Sequence, residues 1–170
     1  SEAVTNCNWA TSREKAHETL SPLKEAGLDT LNMSVDDFHQ ETIPLERVRN
    51  AFEASKRLKL KPVLMITVKK DSDITSHGIG ALLEDPGIQG LGDEKQPNPS
   101  ALAIETHFTP VGRGGETPRQ ELRHIHVESK PCKRVLTDIG VRPSGDVMPC
   151  CGPLGAQNDA IIGNLEEECL

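Results

Sequence analysis

Pro62-Val63-Leu64-Met65-Ile66-Thr67-Val68 is the longest apolar run in the chain. Seven residues with little polar alternation fit a strand buried within a parallel sheet, and the run is far below the roughly 20 residues that cross a bilayer. Working back from it, Leu45, Val48, Phe52 and Leu58 recur near helical spacing, with Glu46, Arg47, Arg49, Glu53 and Lys56 on other faces. Pro44 is a favourable first residue for that helix. Before it, residues 28–35 form a second short apolar-rich run that ends in a polar corner. Strand, helix and strand within about 40 residues make a βαβ unit.

Further back, Val4 and Thr5 end an extended segment, and Thr11-Ser12-Arg13-Glu14 is a capping-box sequence that opens a helix. Ala16, Leu20 and Leu23 share one face of it and Gly27 closes it, while Pro22 predicts a kink or a restart after Ser21. The unit thus extends to βαβαβ. Forward of Val68, a weak helix is expected over 74–83, then a long loop rich in Gly and Pro over 85–100, then a fourth strand over 101–108.

After Pro110 the character changes. Gly112-Arg113-Gly114-Gly115 reads as a loop; it lacks the Lys-Ser/Thr and the strand-to-helix setting of a phosphate loop. Residues 124–127 read as a short extended piece, and 134–141 with 146–148 read as a hairpin around Pro143-Ser144-Gly145. This last part has too few apolar side chains for a core of its own and requires a staple. The expected organisation is an α/β fold over 1–110 and a small cysteine-containing β-hairpin/α region over 111–170.

At 170 residues the chain has room for one domain and a small appendage. Apolar residues are 35% of it, and the aromatics are one Trp and three Phe, so the core is built mainly from Leu, Ile, Val and Ala. Lys and Arg number 19 against 26 Asp and Glu, a net −7 with no basic stripe, which argues against a nucleic-acid or anionic membrane surface. Residues 1–10 have no apolar signal-peptide core, so a soluble, cytoplasmic setting is expected. Five cysteines are an odd number, which favours free thiols or metal ligands over a disulfide framework.

Four of those cysteines, Cys132, Cys150, Cys151 and Cys169, fall near the end of the chain. Gly145 between Cys132 and Cys150 makes the turn that brings their thiols together, and thiolates so gathered suit zinc or an iron–sulfur cluster. Side chains of adjacent Cys150 and Cys151 diverge on an extended backbone, so one of the pair is expected to ligate. Unligated thiols packed as small hydrophobes are the alternative. His124 and His126 alternate on one strand and could join Cys132 at a zinc; two surface histidines are the plainer reading. Ser34-Val35-Asp36-Asp37-Phe38-His39 sits where a parallel strand ends, the edge at which α/β sheets bind ligands. Its hydroxyl, carboxylates and imidazole could hold ribose hydroxyls or an ammonium group, or Asp36 or Asp37 could simply cap a helix.

Taken together these residues resemble the radical S-adenosylmethionine enzymes, from the third barrel strand into a SPASM or twitch auxiliary-cluster domain. Thr5-Asn6-Cys7-Asn8-Trp9-Ala10 resembles the family's Thr-Asn-Gly turn, with Cys7 where Gly is usual, and residues 31–39 resemble its Ser-x-Asp region. Cys132, Gly145 and Cys150 repeat the Cys-x12-Gly-x4-Cys spacing that opens such auxiliary domains, followed by Ile162-Gly163-Asn164-Leu165-Glu166-Glu167.

The resemblance implies a partial (β/α) barrel, with Asn6, Ser34 and Asp36 facing S-adenosylmethionine in the full-length enzyme. It also implies an auxiliary [4Fe-4S] cluster at Cys132, Cys150 and a further site, with Cys151 and Cys169 as the other nearby thiols. A peptide or small metabolite would be the substrate, losing a hydrogen atom to a 5′-deoxyadenosyl radical. No Cys-x3-Cys-x2-Cys occurs, nor a Gly-Gly-Glu-Pro segment, so the chain reads as a fragment or truncated relative that is not expected to be active alone. A non-catalytic module stapled by zinc or a cluster is the competing expectation. A barrel begun at its third strand leaves a sheet edge open to self-association.

Overall fold

The computed structural model describes residues 1–90, 93–94, 96–110, 112–123, 135–150, 152 and 160–167. The chain divides into two compact units, Ser1–Phe108 and Thr109–Leu170.

The first unit is α/β. Its elements are β1 (Glu2–Thr5), α1 (Arg13–Glu25), β2 (Thr30–Ser34), α2 (Asp37–Gln40), α3 (Leu45–Arg57), β3 (Lys61–Val68), α4 (Ile79–Leu82), β4 (Ile88–Gly90) and β5 (Ala101–His107). The strands form one wholly parallel sheet in the order β1-β2-β3-β5-β4. α1 and α3 pack against each other. Ala16 and Leu20 of α1 and Val48, Ala51 and Phe52 of α3 share a core with Leu31, Met33, Leu64 and Ile66, so both helices cover the same sheet face. Phe52 is the largest fully buried side chain, and truncating it to Ala removes about 3–5 kcal/mol.

Registers pair Val4 with Asn32, Asn32 with Val63 and Val63 with Leu102, which places all four on the opposite face. There Val4 is 67% exposed, Met65 37% and Leu102 39%. In β5 the small residues Ala101 and Ala103 turn to the helices, while the larger Leu102 and Ile104 lie on the face without them.

Three expectations are corrected. The stretch 85–100 is not wholly a loop, because β4 within it pairs with β5 and forms one edge of the sheet. Its three residues are too few to show a hydrophobic period. The helix expected over 74–83 is only the single turn of α4, and Pro44 is the N-cap of α3 rather than its first helical residue. Pro22 does not break α1, which runs through it as one helix. Ser12 caps α1 by accepting the Lys15 amide at 3.1 Å. The proline ring leaves the carbonyl of exposed Glu18 without its amide partner, at a position water reaches.

The helix ends share a device. After α1, Gly27 adopts φ 94 while Leu28 donates to the Leu23 carbonyl and Gly27 to that of Lys24. After α3, Leu60 donates to Ser55 and Lys59 to Lys56, with Lys59 at φ 55. After α4, Asp85 donates to Gly80 and Glu84 to Ala81, with Glu84 at φ 57. Each is a Schellman closure, in which a left-handed residue lets two amides satisfy the final carbonyls.

The second unit contains 3-10 turns at Gly112–Glu116 and Arg119–Glu121 and an antiparallel sheet, β6 (Gly140–Val141), β7 (Asp146–Met148) and β8 (Gly163–Asn164), in that order. The hairpin expected over 134–148 is present, with a first strand of only two residues. Val147 and Met148 of β7 are both nearly fully buried. Residues 124–127 lie outside the described residues.

Candidate functional site

The C-terminal ends of β1, β2, β3 and β5 bring together most of the polar residues singled out in the first unit. At the end of β1, the Thr5 hydroxyl oxygen accepts the Cys7 amide at 3.0 Å and the Trp9 indole N–H at 2.8 Å. That bracing holds Cys7 in a left-handed turn at φ 63. The Cys7 thiol is fully buried, and burial pushes its pKa up to about 12. Asn6 is exposed, its Oδ1 accepting the Asn8 amide at 3.1 Å. From α3, Arg47 donates to the Asn8 carbonyl at 2.6 Å and to its side-chain oxygen, and buried Asn50 donates to the Ala10 carbonyl at 3.1 Å.

At the end of β2, half-buried Ser34 is followed by Val35, whose amide donates to the Met65 carbonyl at 3.0 Å. Because Thr5 pairs with Met33, Asn6 and Ser34 leave adjacent strands side by side. Asp36 is 2% exposed and caps α2, its Oδ1 accepting the His39 amide at 3.0 Å. The same oxygen lies 2.8 Å from His39 Nδ1, and Oδ2 accepts the Thr67 amide at 3.3 Å. A buried carboxylate facing Nδ1 requires the proton on that nitrogen when the ring is neutral, which leaves a lone pair on Nε2. Asp37 holds the loop after β3, accepting the Asp73 amide at 3.0 Å and the Ile74 amide at 3.1 Å. Glu105 of β5 holds the same loop through the Ser76 amide and hydroxyl at 3.2 and 3.1 Å. Phe38 stacks on Phe108 with centroids 5.0 Å apart, and Lys69 Nζ lies 5.2 Å from the Phe38 centroid.

Asn6, Ser34 and Asp36 therefore do share one edge. Their availability differs: the Asn6 amide and Ser34 hydroxyl stand at the strand ends, whereas both oxygens of Asp36 are engaged by three donors of its own chain. The helix-cap reading of Asp36 describes its contacts. Sequence reasoning missed that His39 is locked to Asp36; the Asp-x-x-His spacing at a helix start was the available signal. The pinning of 5–10 by Arg47 and Asn50 left no local trace, since the partners are some 40 residues apart.

In the second unit, Gly145 donates to the Arg142 carbonyl at 2.9 Å and turns at φ 82, so Pro143-Ser144-Gly145 is the hairpin loop. Asn164 Nδ2 donates to the Ser144 carbonyl at 3.1 Å and to Asp146 Oδ1 at 2.9 Å. Hydrogen bonds from Ser144 and Asn164 hold the Asp146 carboxyl below its usual range. Cys150, half-buried, lies two residues past the end of β7, after Pro149. Cys132, Cys151, Cys169, His124 and His126 lie outside the described residues. Among the described residues, no three His, Cys, Asp or Glu side chains gather as metal ligands.

Two clefts lie away from the strand ends. One of 380 Å³ is lined by Arg13, Glu14, His17, Glu18 and Arg57 on α1 and α3. Another, of 520 Å³, opens at the start of the strands between Thr30, Lys61, Pro62, Ser100 and Leu102. Neither combines the carboxylate, imidazole and hydroxyl found at the opposite edge. No protein-family model matches the chain, and no curated protein matches it in sequence.

Proposed function

We propose that the chain is a fragment or truncated relative of a radical S-adenosylmethionine enzyme that modifies a peptide or small metabolite, with an auxiliary iron–sulfur cluster in 111–170. The observation that carries this reading is the winding of the first unit. β1, β2, β3 and β5 advance across the sheet in one direction with α1 and α3 on one face. A doubly wound sheet reverses its strand order at its centre and carries helices on both faces; here the departure from sequential order is the three-residue β4 outside β5. Parallel sheets are ordinarily buried on both faces, so Val4, Val63, Met65, Leu102 and Ile104 opposite the helices suit the lumen of a partial (β/α) barrel. The left-handed Cys7, standing where the resembled Thr-Asn-Gly turn has glycine, and the left-handed Gly145 agree with it.

The cofactor residues fit in part. The exposed Asn6 amide and the Ser34 hydroxyl suit a nucleoside at the strand ends, but Asp36 has no oxygen to spare for one. S-adenosylmethionine, bound in a complete enzyme, supplies hydrogen-abstracting radical chemistry. For the cluster, Cys150 is the described thiol, with Cys132, Cys151 and Cys169 as the other candidates. A cytoplasmic setting belongs to this reading, since such clusters need reducing surroundings; among the described residues no helix is long and apolar enough to cross a membrane. Among the described residues the outer side of β1 is an unpaired edge, and self-association there belongs to the same proposal.

The test is metal and sulfide analysis with an absorption spectrum on protein reconstituted without oxygen, beside Cys132→Ala and Cys150→Ala. About four irons per chain with matching sulfide, lost in both variants, is the expected result. About one zinc per chain turns the second unit into a structural module, and neither metal sinks the cluster assignment.

A further inference from the structure

We propose that His39 is a proton-transfer residue, with Nε2 turned to a small molecule at the C-terminal edge of the sheet and Nδ1–H held by Asp36. The ligand class is a compound with a weakly acidic O–H or N–H. This goes beyond the reading above, since it needs neither the cluster nor S-adenosylmethionine.

Capping a four-residue helix needs one acceptor for one amide. Asp36 instead is 2% exposed, grips the imidazole at 2.8 Å, and is itself fixed by the Thr67 amide of β3. Burying a carboxylate costs stability unless it is fully hydrogen-bonded, and three donors meet that need. The result is an imidazole with one orientation and one tautomer, while Nε2 has no partner among the described residues and the His39 side chain is 37% exposed. A carboxylate set behind a histidine in this way fixes the ring's tautomer and aims its outward nitrogen.

The C-terminal edge of a parallel sheet is where such folds take their ligands. His39 follows strand β2 of a parallel sheet, next to the Phe38–Phe108 stack. One residue on, both side-chain amide atoms of Gln40 are buried with no hydrogen-bond partner among the described residues, an arrangement native proteins rarely leave unanswered. Among the described residues no serine or cysteine bonds to His39, and in the proposed step the proton comes from the ligand. In the step, an N–H bond forms at Nε2 as the ligand's X–H bond breaks, the electron pair staying on X. The reverse transfer returns the proton.

A chromogenic ester reports on such a nitrogen without knowledge of the natural ligand. With p-nitrophenyl acetate, the Nε2 lone pair attacks the acyl carbon or takes a proton from the water that does. The C–O bond to p-nitrophenolate breaks, and water completes the turnover to acetate and a proton. His39→Gln is expected to lower the rate about tenfold in a chain with unchanged circular dichroism, whereas His17→Gln and His77→Gln leave it within about twofold. Ring-¹⁵N NMR of the unaltered chain should show neutral His39 protonated at Nδ1, and Asp36→Asn should lose both that signature and the rate. A folded His39→Gln chain with the original rate overturns the proposal. So does a neutral His39 ring protonated at Nε2, which needs no variant to fold.

Discussion

A Cβ added to Gly145 would stand 2.9 Å from Oδ1 of Asn164, the oxygen that accepts the Glu166 amide at 2.8 Å. The hairpin loop and the strand after it are thus fitted to each other at a point where only a hydrogen atom has room. Two parts of the sequence motif some 20 residues apart, the Gly of the cysteine spacing and the Asn of Ile162-Gly163-Asn164, are one physical contact.

Gly145→Ala should therefore destabilise the second unit by about 2 kcal/mol. The left-handed φ of 82 costs an L-residue roughly 1–2 kcal/mol, and the contact adds to it. Amide exchange at Leu165, which donates to the Gly145 carbonyl at 2.9 Å, is the site at which to measure it. Unchanged protection there would contradict the fit.

Lys59→Gly should raise the stability of the first unit by about 1 kcal/mol. Lys59 occupies the left-handed position of its helix closure with a side chain that gains nothing from it. Urea denaturation gives the sign directly, and Gly27→Ala, at φ 94 in the equivalent place, should move the midpoint the other way.

Lys56 and Asp85 join α3 to the segment before β4 at 2.7 Å, with Ser100 and Gly87 also donating to Asp85. Burial pushes the Asp85 carboxyl up, but the bonds from Lys56, Ser100 and Gly87 outweigh it and its pKa falls below the ordinary value. A depressed folded pKa means the unfolded chain binds the proton more readily. The contribution is fully present above the unfolded value of about 4 and is lost as pH falls through the folded one. Asp85→Asn should flatten the acid limb of the stability curve.

Cys7 should resist alkylation in the native chain at neutral pH and react only on unfolding, while half-buried Cys150 labels faster. A thiol whose folded pKa is about 12 stays protonated while the unfolded one ionises. Stability should accordingly decline as pH rises from the ordinary thiol range toward 12. Mass-resolved labelling of Cys7 at the rate of a free thiol would show the burial to be wrong.

Among the described residues nothing pairs with the outer edge of β1, and Val4 is 67% exposed on the face opposite α1 and α3. Sedimentation should show concentration-dependent association that Val4→Lys weakens, since an edge charge disfavours strand pairing. A monomer at every concentration would remove the edge as an interface.

Legibility followed the range of the interactions. The start of α1, the apolar stripe of α3 and the existence of β3 are local patterns readable in the sequence, although the cap is Ser12 rather than Thr11 of the box and β3 buries only alternate side chains, leaving Met65 37% exposed. β4 was not, because Ile88-Gln89-Gly90 is a strand only by virtue of β5 beside it. The candidate site was half legible: strand ends placed Asn6, Ser34 and Asp36 at one edge, but residue type alone left Asp36 between ligand and cap. The Thr67 amide, brought from 31 residues away, and the ring of His39 decide that its oxygens are spent.

The sequence by itself determined the α/β class, the parallel strands and the tight turn at Gly145, because hydrophobic period, caps and backbone sterics act within a few residues of themselves. Only the tertiary structure decided that α1 and α3 share a face, that Leu102 turns away from the core while Ala103 enters it, and that Asp36 serves His39. Those outcomes depend on which surfaces meet across the sheet. Packing selects among residues that are locally equivalent, and a single strand's alternation does not say which of its two faces the helices will cover.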